Sequence, residues 1–148
     1  MINIRALKED DFEQWLALYH HYADHYQVAL NDEIIATSWG WLIDENNPLC
    51  AIAAENDEGE LIGLAHYRAM PSPLRGAYIG FLDDLIVAPK ARGGDVADLL
   101  LQNLKSIGAA QGWAIIRWIT RDNNYRARSL YDKFATKTDW NMYEMKLS

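Results

Sequence analysis

A chain of 148 residues, half of them hydrophobic, is long enough for one well-filled core and too short for two ordinary domains, so a single domain is expected over residues 1–148. Fourteen Lys and Arg against twenty-one Asp and Glu leave a formal net charge of −7 at pH 7, which is the wrong sign for a nucleic-acid partner and leans toward a cationic small molecule or basic peptide. The lone cysteine, Cys50, excludes an intrachain disulfide and a cysteine-based zinc site, and with no signal-like N-terminus and no bilayer-length apolar run the expectation is a cytoplasmic protein without membrane contact.

In chain order, Ile2, Ile4 and Ala6 alternate with polar residues as in a first strand, and Asp10-Asp11 offers an N-cap for a helical stretch from Phe12 to about Tyr26. Asn31-Asp32-Glu33 starts a second helix carrying Ile34, Ile35, Trp39 and Leu42, which ends near Asn46-Asn47-Pro48. Leu49 to Ala54 and Leu61 to Arg68 read as strands joined by the turn Asn56-Asp57-Glu58-Gly59, and Met70 to Gly76 reads as a loop. Ala77 to Val87 is the third strand of this antiparallel meander and stops before Pro89, since proline has no N–H for a ladder. Past Gly93-Gly94, the spacing of Val96, Leu99, Leu100, Leu101, Leu104 and Ile107 marks an amphipathic helix ending near Gly108 to Gly112. Trp113 to Thr120 has the apolar continuity of a strand buried on both faces, Asp122-Asn123-Asn124 caps a helix to about Phe134, and Trp140 to Leu147 closes the chain as a strand. The order is β-α-α-β-β-β-α-β-α-β, an α+β class with a mixed, largely antiparallel sheet flanked by helices.

The segment from Phe81 to Ala97 leads a strand through a glycine loop into a helix. Such a connection aims free backbone N–H groups and the positive end of a helix dipole at one point, which suits a phosphate, although many such connections are plain turns. Arg92-Gly93-Gly94-Asp95-Val96-Ala97, with Val87 upstream and Leu99-Leu100 downstream, resembles the acetyl-CoA signature of the GNAT superfamily, Arg/Gln-x-x-Gly-x-Gly/Ala. Asp95 departs from it, standing where the family usually has glycine and placing a carboxylate near the expected pyrophosphate unless it turns away to cap the helix. Asn124-Tyr125-Arg126-Ala127-Arg128-Ser129-Leu130-Tyr131-Asp132-Lys133 resembles the same superfamily's Asn-x-x-Ala-x-x-Leu-Tyr-x-Lys helix. The family's usual Gly-Phe after it is replaced by Phe134-Ala135-Thr136.

The resemblance implies direct transfer of an acetyl group from acetyl-CoA to a primary amine, with no metal. It implies cofactor contacts from Leu85, Ile86 and Val87, from the loop residues Arg92, Gly93, Gly94, Asp95, Val96, Ala97 and Asp98, and from Asn124, along a sheet splayed between the third meander strand and the strand after it. A backbone N–H near Val87 would steady the oxyanion, and Tyr131 would be the general acid, a phenol of unperturbed pKa about 10 being protonated at neutral pH. Asp83 and Asp84 interrupt an apolar strand and should face opposite sides of it. Phe81-Leu82-Asp83-Asp84-Leu85 resembles the diamine and spermidine/spermine N-acetyltransferase branch, where acidic residues here bind and help deprotonate the amine; that role falls to Asp83 first and Asp84 second, with a bulge as the structural use of at least one. Tyr22, His25, Tyr26, Trp39 and Trp41 on the first two helices are candidate acceptor contacts, and Arg126 and Arg128 are either phosphate contacts or solvated charges. His21 and His25 have a metal-chelating i, i+4 spacing beside His20, but no third ligand accompanies them, so surface or pocket histidines are expected. The expected acceptor is a small cationic amine, with a protein lysine or N-terminal amine, or a CoA-binding regulatory protein, as the alternatives; a homodimer is an open option.

Overall fold

The computed structural model describes residues 1–147. Its elements are β1 (Asn3–Ala6), α1 (Phe12–His25), α2 (Asp32–Ile43), β2 (Leu49–Glu55), β3 (Leu61–Ser72), β4 (Ala77–Val87), α3 (Val96–Gln111), β5 (Ile116–Arg117) and α4 (Tyr125–Tyr131). The strands form one sheet in the order β1-β2-β3-β4-β5. The first four pair antiparallel, β2, β3 and β4 through short turns and β1 against β2 after the two-helix connection, and β5 joins in parallel after the α3 crossover. This is the α+β architecture expected. The expected loop at Met70 is instead strand as far as Ser72, leaving only Pro73–Gly76 as the turn into β4.

The core lies between the sheet and its helices. Trp15 of α1, Leu64 of β3, Ile79 of β4, and Leu100 and Leu104 of α3 are its largest fully buried side chains. Asp11 does not cap α1 as its position predicts. The Arg5 guanidinium lies across its carboxylate, donating from Nη1 and Nη2 at 2.8 and 2.9 Å, and the Lys8 backbone N–H donates to it as well, at 2.8 Å. Arg5 also donates to Glu55 at 2.9 Å, so one guanidinium joins β1, the chain before α1, and β2. A bidentate ion pair outcompetes a single helix cap.

Two features of the sheet position the site. The β4–β5 ladder consists of Gly80↔Ile116 and Phe81↔Arg117 and stops there. Gly80 is needed at this crossing, because a Cβ on it would lie 2.5 Å from the Trp113 ring. Beyond Phe81 the strands separate, and the β4 edge from Leu82 to Val87 has no partner strand on that side among the described residues. Second, the expected strand Trp113–Thr120 contracts to the two residues of β5, since strands that splay apart cannot continue a ladder. The predicted closing strand Trp140–Leu147 is absent: residues 136 to 147 form no regular element, and all are exposed.

Candidate active site

β4 and β3 pair as Asp84↔His66 and Leu82↔Tyr67, so Asp83 is the extra residue of a β-bulge. A regular strand would send the two aspartates to opposite faces. The bulge turns both toward the α1/α2 face, where they line one cavity of about 490 Å³ with Tyr19, Ser38, Trp41, Leu42, His66 and Arg68.

The two carboxylates are held differently. The Trp15 indole donates to His66 Nε2 at 3.0 Å, which leaves the imidazole proton on Nδ1, 2.8 Å from Asp84 Oδ2. His66 is buried between these partners. Asp83 instead pairs with Arg68, whose Nε donates to its carboxylate at 3.0 and 3.3 Å while the guanidinium lies over the Phe81 ring, 5.0 Å from its centroid. Burial raises the Asp83 pKa against the pull of Arg68, and the neighbouring Asp84 charge raises it further. Among the described residues Arg68 Nη1 and Nη2 have no acceptor, and the side chain lines the cavity.

Tyr19, Tyr22 and Tyr26 follow one another at helical spacing along α1 and its C-cap, Tyr19 stacked on Tyr22 at a centroid distance of 6.2 Å and Tyr22 tilted against Tyr26 at 4.9 Å. Burial, with the Asp84 and Asp83 charges, pushes Tyr19 up to about 12. Burial, then the Asp84 carboxylate beside it, pushes the Tyr22 phenol well above its usual range. The Tyr26 and Tyr131 phenols raise it further, after the Asp84 carboxylate. Tyr131 meets the Trp118 ring edge-on at 5.4 Å, and burial, reinforced by Tyr26, raises its pKa. Trp39 lies away from this cavity, packed against Phe12 and Trp15 at 5.2 and 5.0 Å, whereas Trp41 lines it. His25 meets the Tyr26 ring edge-on. No group of three metal-binding side chains exists among the described residues.

Across the opening, a 3-10 turn at Pro89–Ala91 leads to Arg92 and to Gly93, whose φ of +85° only glycine adopts without strain. Asp95 immediately precedes α3, does not cap it through its side chain, and is exposed. Asp98 is paired with Lys133 beyond α4, at 3.2 Å. Arg126 reaches this loop, its Nη2 lying 3.9 Å from where a Cβ on Gly93 would be. Arg128 donates to the Asp122 carbonyl and lies near the Tyr125 ring, and the Asn124 side chain caps α4 through the Ala127 N–H. The open β4 edge from Leu82 to Val87 runs from the aspartates to the glycine loop, where Arg126 stands. These are groups that a phosphate-bearing thioester would use: backbone amides and an arginine for its phosphates, and unpaired strand backbone for its chain.

His66, Arg68 and Trp15 went unnoticed in the sequence. The register was the available signal for one of them, since pairing the 77–87 strand back from a tight turn places His66 opposite the aspartates, whereas Arg68 falls opposite Phe81 and reaches Asp83 only through its side chain.

The model of the acetyltransferase (GNAT) family matches residues 11–135. The chain is 29% identical over 144 residues to D-amino-acid N-acetyltransferase HPA3 of Saccharomyces cerevisiae, covering 97% of this chain and 89% of that protein. Among solved structures, a ribosomal-protein-alanine N-acetyltransferase from Brucella melitensis biovar Abortus 2308 superposes with a TM-score of 0.84 at 23% identity, over 99% of each chain. Aminoglycoside N-acetyltransferase AAC(6')-Iy in complex with CoA superposes with a TM-score of 0.82 at 20% identity, over 100% of this chain and 96% of that one.

Proposed function

Because the chain belongs to the GNAT family and is an N-acetyltransferase of the acetyl-CoA-dependent type, we propose that it acts as one catalytic domain that acetylates a small primary amine carrying a carboxylate, an amino-acid-like acceptor. What supports this reading is one cavity that holds both Asp84, buttressed by His66 and Trp15, and Arg68, an acid for the ammonium beside a guanidinium for the carboxylate.

Acetyl-CoA supplies a thioester carbonyl for attack and a sulfur that leaves. The residues that would hold it are Arg92 to Asp98, with Arg126 and Asn124, and the β4 backbone of Leu85, Ile86 and Val87. An ammonium group cannot attack, so the acceptor must first lose a proton. Asp84 takes it, directly or through water, while the His66 Nδ1–H keeps the carboxylate aimed. The Trp15 bond to Nε2 fixes the imidazole tautomer and leaves Nδ1–H as donor. The backbone N–H groups of the unpaired β4 edge near Val87 donate to the carbonyl oxygen as its charge grows. Tyr131, kept protonated by burial, delivers its proton to the departing sulfur.

Arg68 supports the carboxylate. With Nε on Asp83, its two Nη groups are open to the cavity that holds Asp84, so ammonium and carboxylate of one small molecule have separate partners. The yeast relative is named for acetylating D-amino acids. A thiol-release assay over D- and L-amino acids, polyamines and lysine peptides tests this. Tyr131→Phe should lower kcat by about two to four powers of ten with acetyl-CoA affinity kept. Arg68→Gln should raise KM for amino acids and not for amines lacking a carboxylate. Full activity of the phenylalanine variant sinks the acid, and a preference for polyamines sinks the amino-acid acceptor.

A further inference from the structure

The charges of the acceptor cavity are confined to one side of it. Arg68, Asp83 and Asp84, with His66, all stand on β3 and β4. The facing wall comes from the C-terminal half of α2 and the chain that enters β2, and it brings Trp41, Leu42, Pro48 and Leu49 with only the uncharged Ser38 and Asn47. Ser38, Trp41 and Leu42 fall at i, i+3 and i+4 of α2, so helical periodicity gives them one face. The chain beyond the helix is braced. Asp44 accepts from the Asn46 N–H through its side chain at 2.9 Å and from the Asn47 N–H through its carbonyl at 3.0 Å, and Asn47 Oδ1 accepts from the Leu49 N–H at 2.9 Å. A wall held by its own hydrogen bonds spares a ligand the cost of ordering it.

Trp41 is the member of that wall that the fold does not use. Trp39 and Leu42 pack against the core, whereas Trp41 is 49% exposed and meets no aromatic ring among the described residues. A large indole beside a cavity of about 490 Å³ favours a ligand that covers it, because apolar surface is stabilised by leaving water and an aromatic ring by meeting a second one. A charged group laid against the same wall loses its hydration and finds no counter-charge there.

We infer that the acceptor carries a large apolar side chain, aromatic above all, and that Trp41 selects it, with Leu42, Pro48 and Leu49 completing the pocket. This rests on the amino-acid-like acceptor proposed above: ammonium and carboxylate engage Asp84 and Arg68 on the β3 and β4 side, which leaves the side chain facing α2. Amino acids with charged side chains, and diamines, bring a second charge to the apolar wall and are poor acceptors. Alanine leaves Trp41 uncovered.

Thiol release by the full chain with acetyl-CoA is measured for phenylalanine, alanine and arginine, each as the better enantiomer. Phenethylamine and ethylamine repeat the first comparison without a carboxylate. In kcat/KM, phenylalanine should exceed alanine and arginine, and phenethylamine should exceed ethylamine, by about tenfold or more, since a single methylene in an apolar pocket is already worth about that. Trp41→Ala should cut the phenylalanine-to-alanine ratio about tenfold, and Trp41→Phe should keep most of it; the ratio is read within one protein, so a loss of active enzyme cancels. Trp41→Glu should raise arginine relative to phenylalanine, a gain that misfolding does not produce. The carboxylate is judged separately: phenethylamine as good as phenylalanine, with both ahead of their short partners, sinks the amino-acid acceptor and upholds the apolar wall. Equal rates across each pair, a preference for alanine or arginine, turnover of none of these amines, or a phenylalanine preference that survives Trp41→Ala overturns the inference.

Discussion

Residues 1–108 and 109–147 are built to different standards. The first stretch holds every fully buried side chain, its meander strands are paired along their length, and its buried polar groups are answered, Asp11 by Arg5 and His66 by Trp15 and Asp84. After Gly108 no described residue is fully buried; the stretch offers a two-residue strand, a seven-residue helix and an exposed arm. Yet Tyr131, Asn124 and Arg126 lie there. A protein that binds a long thioester in a split sheet gains from this division: the meander holds the fold, while the second stretch is left to be ordered by what binds it, since a ligand or partner that binds only the folded state stabilises it by mass action.

The sharpest way to break that comparison is to remove one tryptophan from each region. Trp15 is wholly buried among Phe12, Tyr19 and Trp39 and also supplies the His66 hydrogen bond. Trp15→Ala should cost about 3–5 kcal/mol of unfolding free energy. Trp118→Ala, at a half-buried position facing the groove, should cost much less. Urea unfolding of both settles it, and equal losses would mean that the second region carries as much of the fold as the first.

A smaller effect follows from the Arg5 ion pair. The Arg5 guanidinium beside Asp11 holds its carboxyl below the usual range, so its contribution is present in full above the unfolded pKa of about 3.9 and is lost as pH falls through the depressed folded value. Asp11→Asn should destabilise by about 1.5–3 kcal/mol at pH 7, since it removes a bidentate charged pair and leaves Glu55 as the carboxylate partner of Arg5. It should also flatten the fall of the urea midpoint below about pH 4. A variant as acid-sensitive as the parent would move that sensitivity to other carboxylates.

The same division separates what the sequence disclosed from what it withheld. The α1 periodicity, the stop at Pro89, the glycine loop and the apolar face of α3 are local signals, and each lies where it was expected, because the meander makes the same demands on a residue that its neighbours in the chain do. Asp83 and Asp84 were legible as an anomaly, and a bulge was expected of at least one; that both would line one cavity was not, since the place of a bulge is a count of two residues against one on another strand. Trp39 and Trp41 look alike in sequence; a half-turn of helix sends one into the aromatic core and leaves the other in the cavity. In the second region, a closing strand was expected at Trp140–Leu147 from its apolar and aromatic residues, and no regular element forms there, since composition says which side chains favour burial and not whether a partner strand is at hand.

Asp95 gives the smallest effect and the finest test of the cofactor groove. Its carboxylate is exposed at the start of α3 and makes no side-chain cap bond, so glycine there forfeits no hydrogen bond. Only the favourable meeting of a negative charge with the helix N-terminus is lost, about 0.3–1 kcal/mol of stability at most. The same positive end is what a pyrophosphate would use, and the carboxylate competes for it. Two like charges 4 Å apart in water repel by about 1 kcal/mol, less with distance, so Asp95→Gly should tighten CoA binding by about two- to five-fold, since each 1.4 kcal/mol is tenfold in affinity. Because the repulsion is exposed, the gain should shrink as salt shortens the Debye length toward about 3 Å at 1 M. Calorimetric titration of both proteins with CoA at low and high salt reads this directly. A gain that ignores salt would assign the effect to loop conformation, and weaker binding would make Asp95 a contributor to the site, which would move the phosphates away from the first turn of α3.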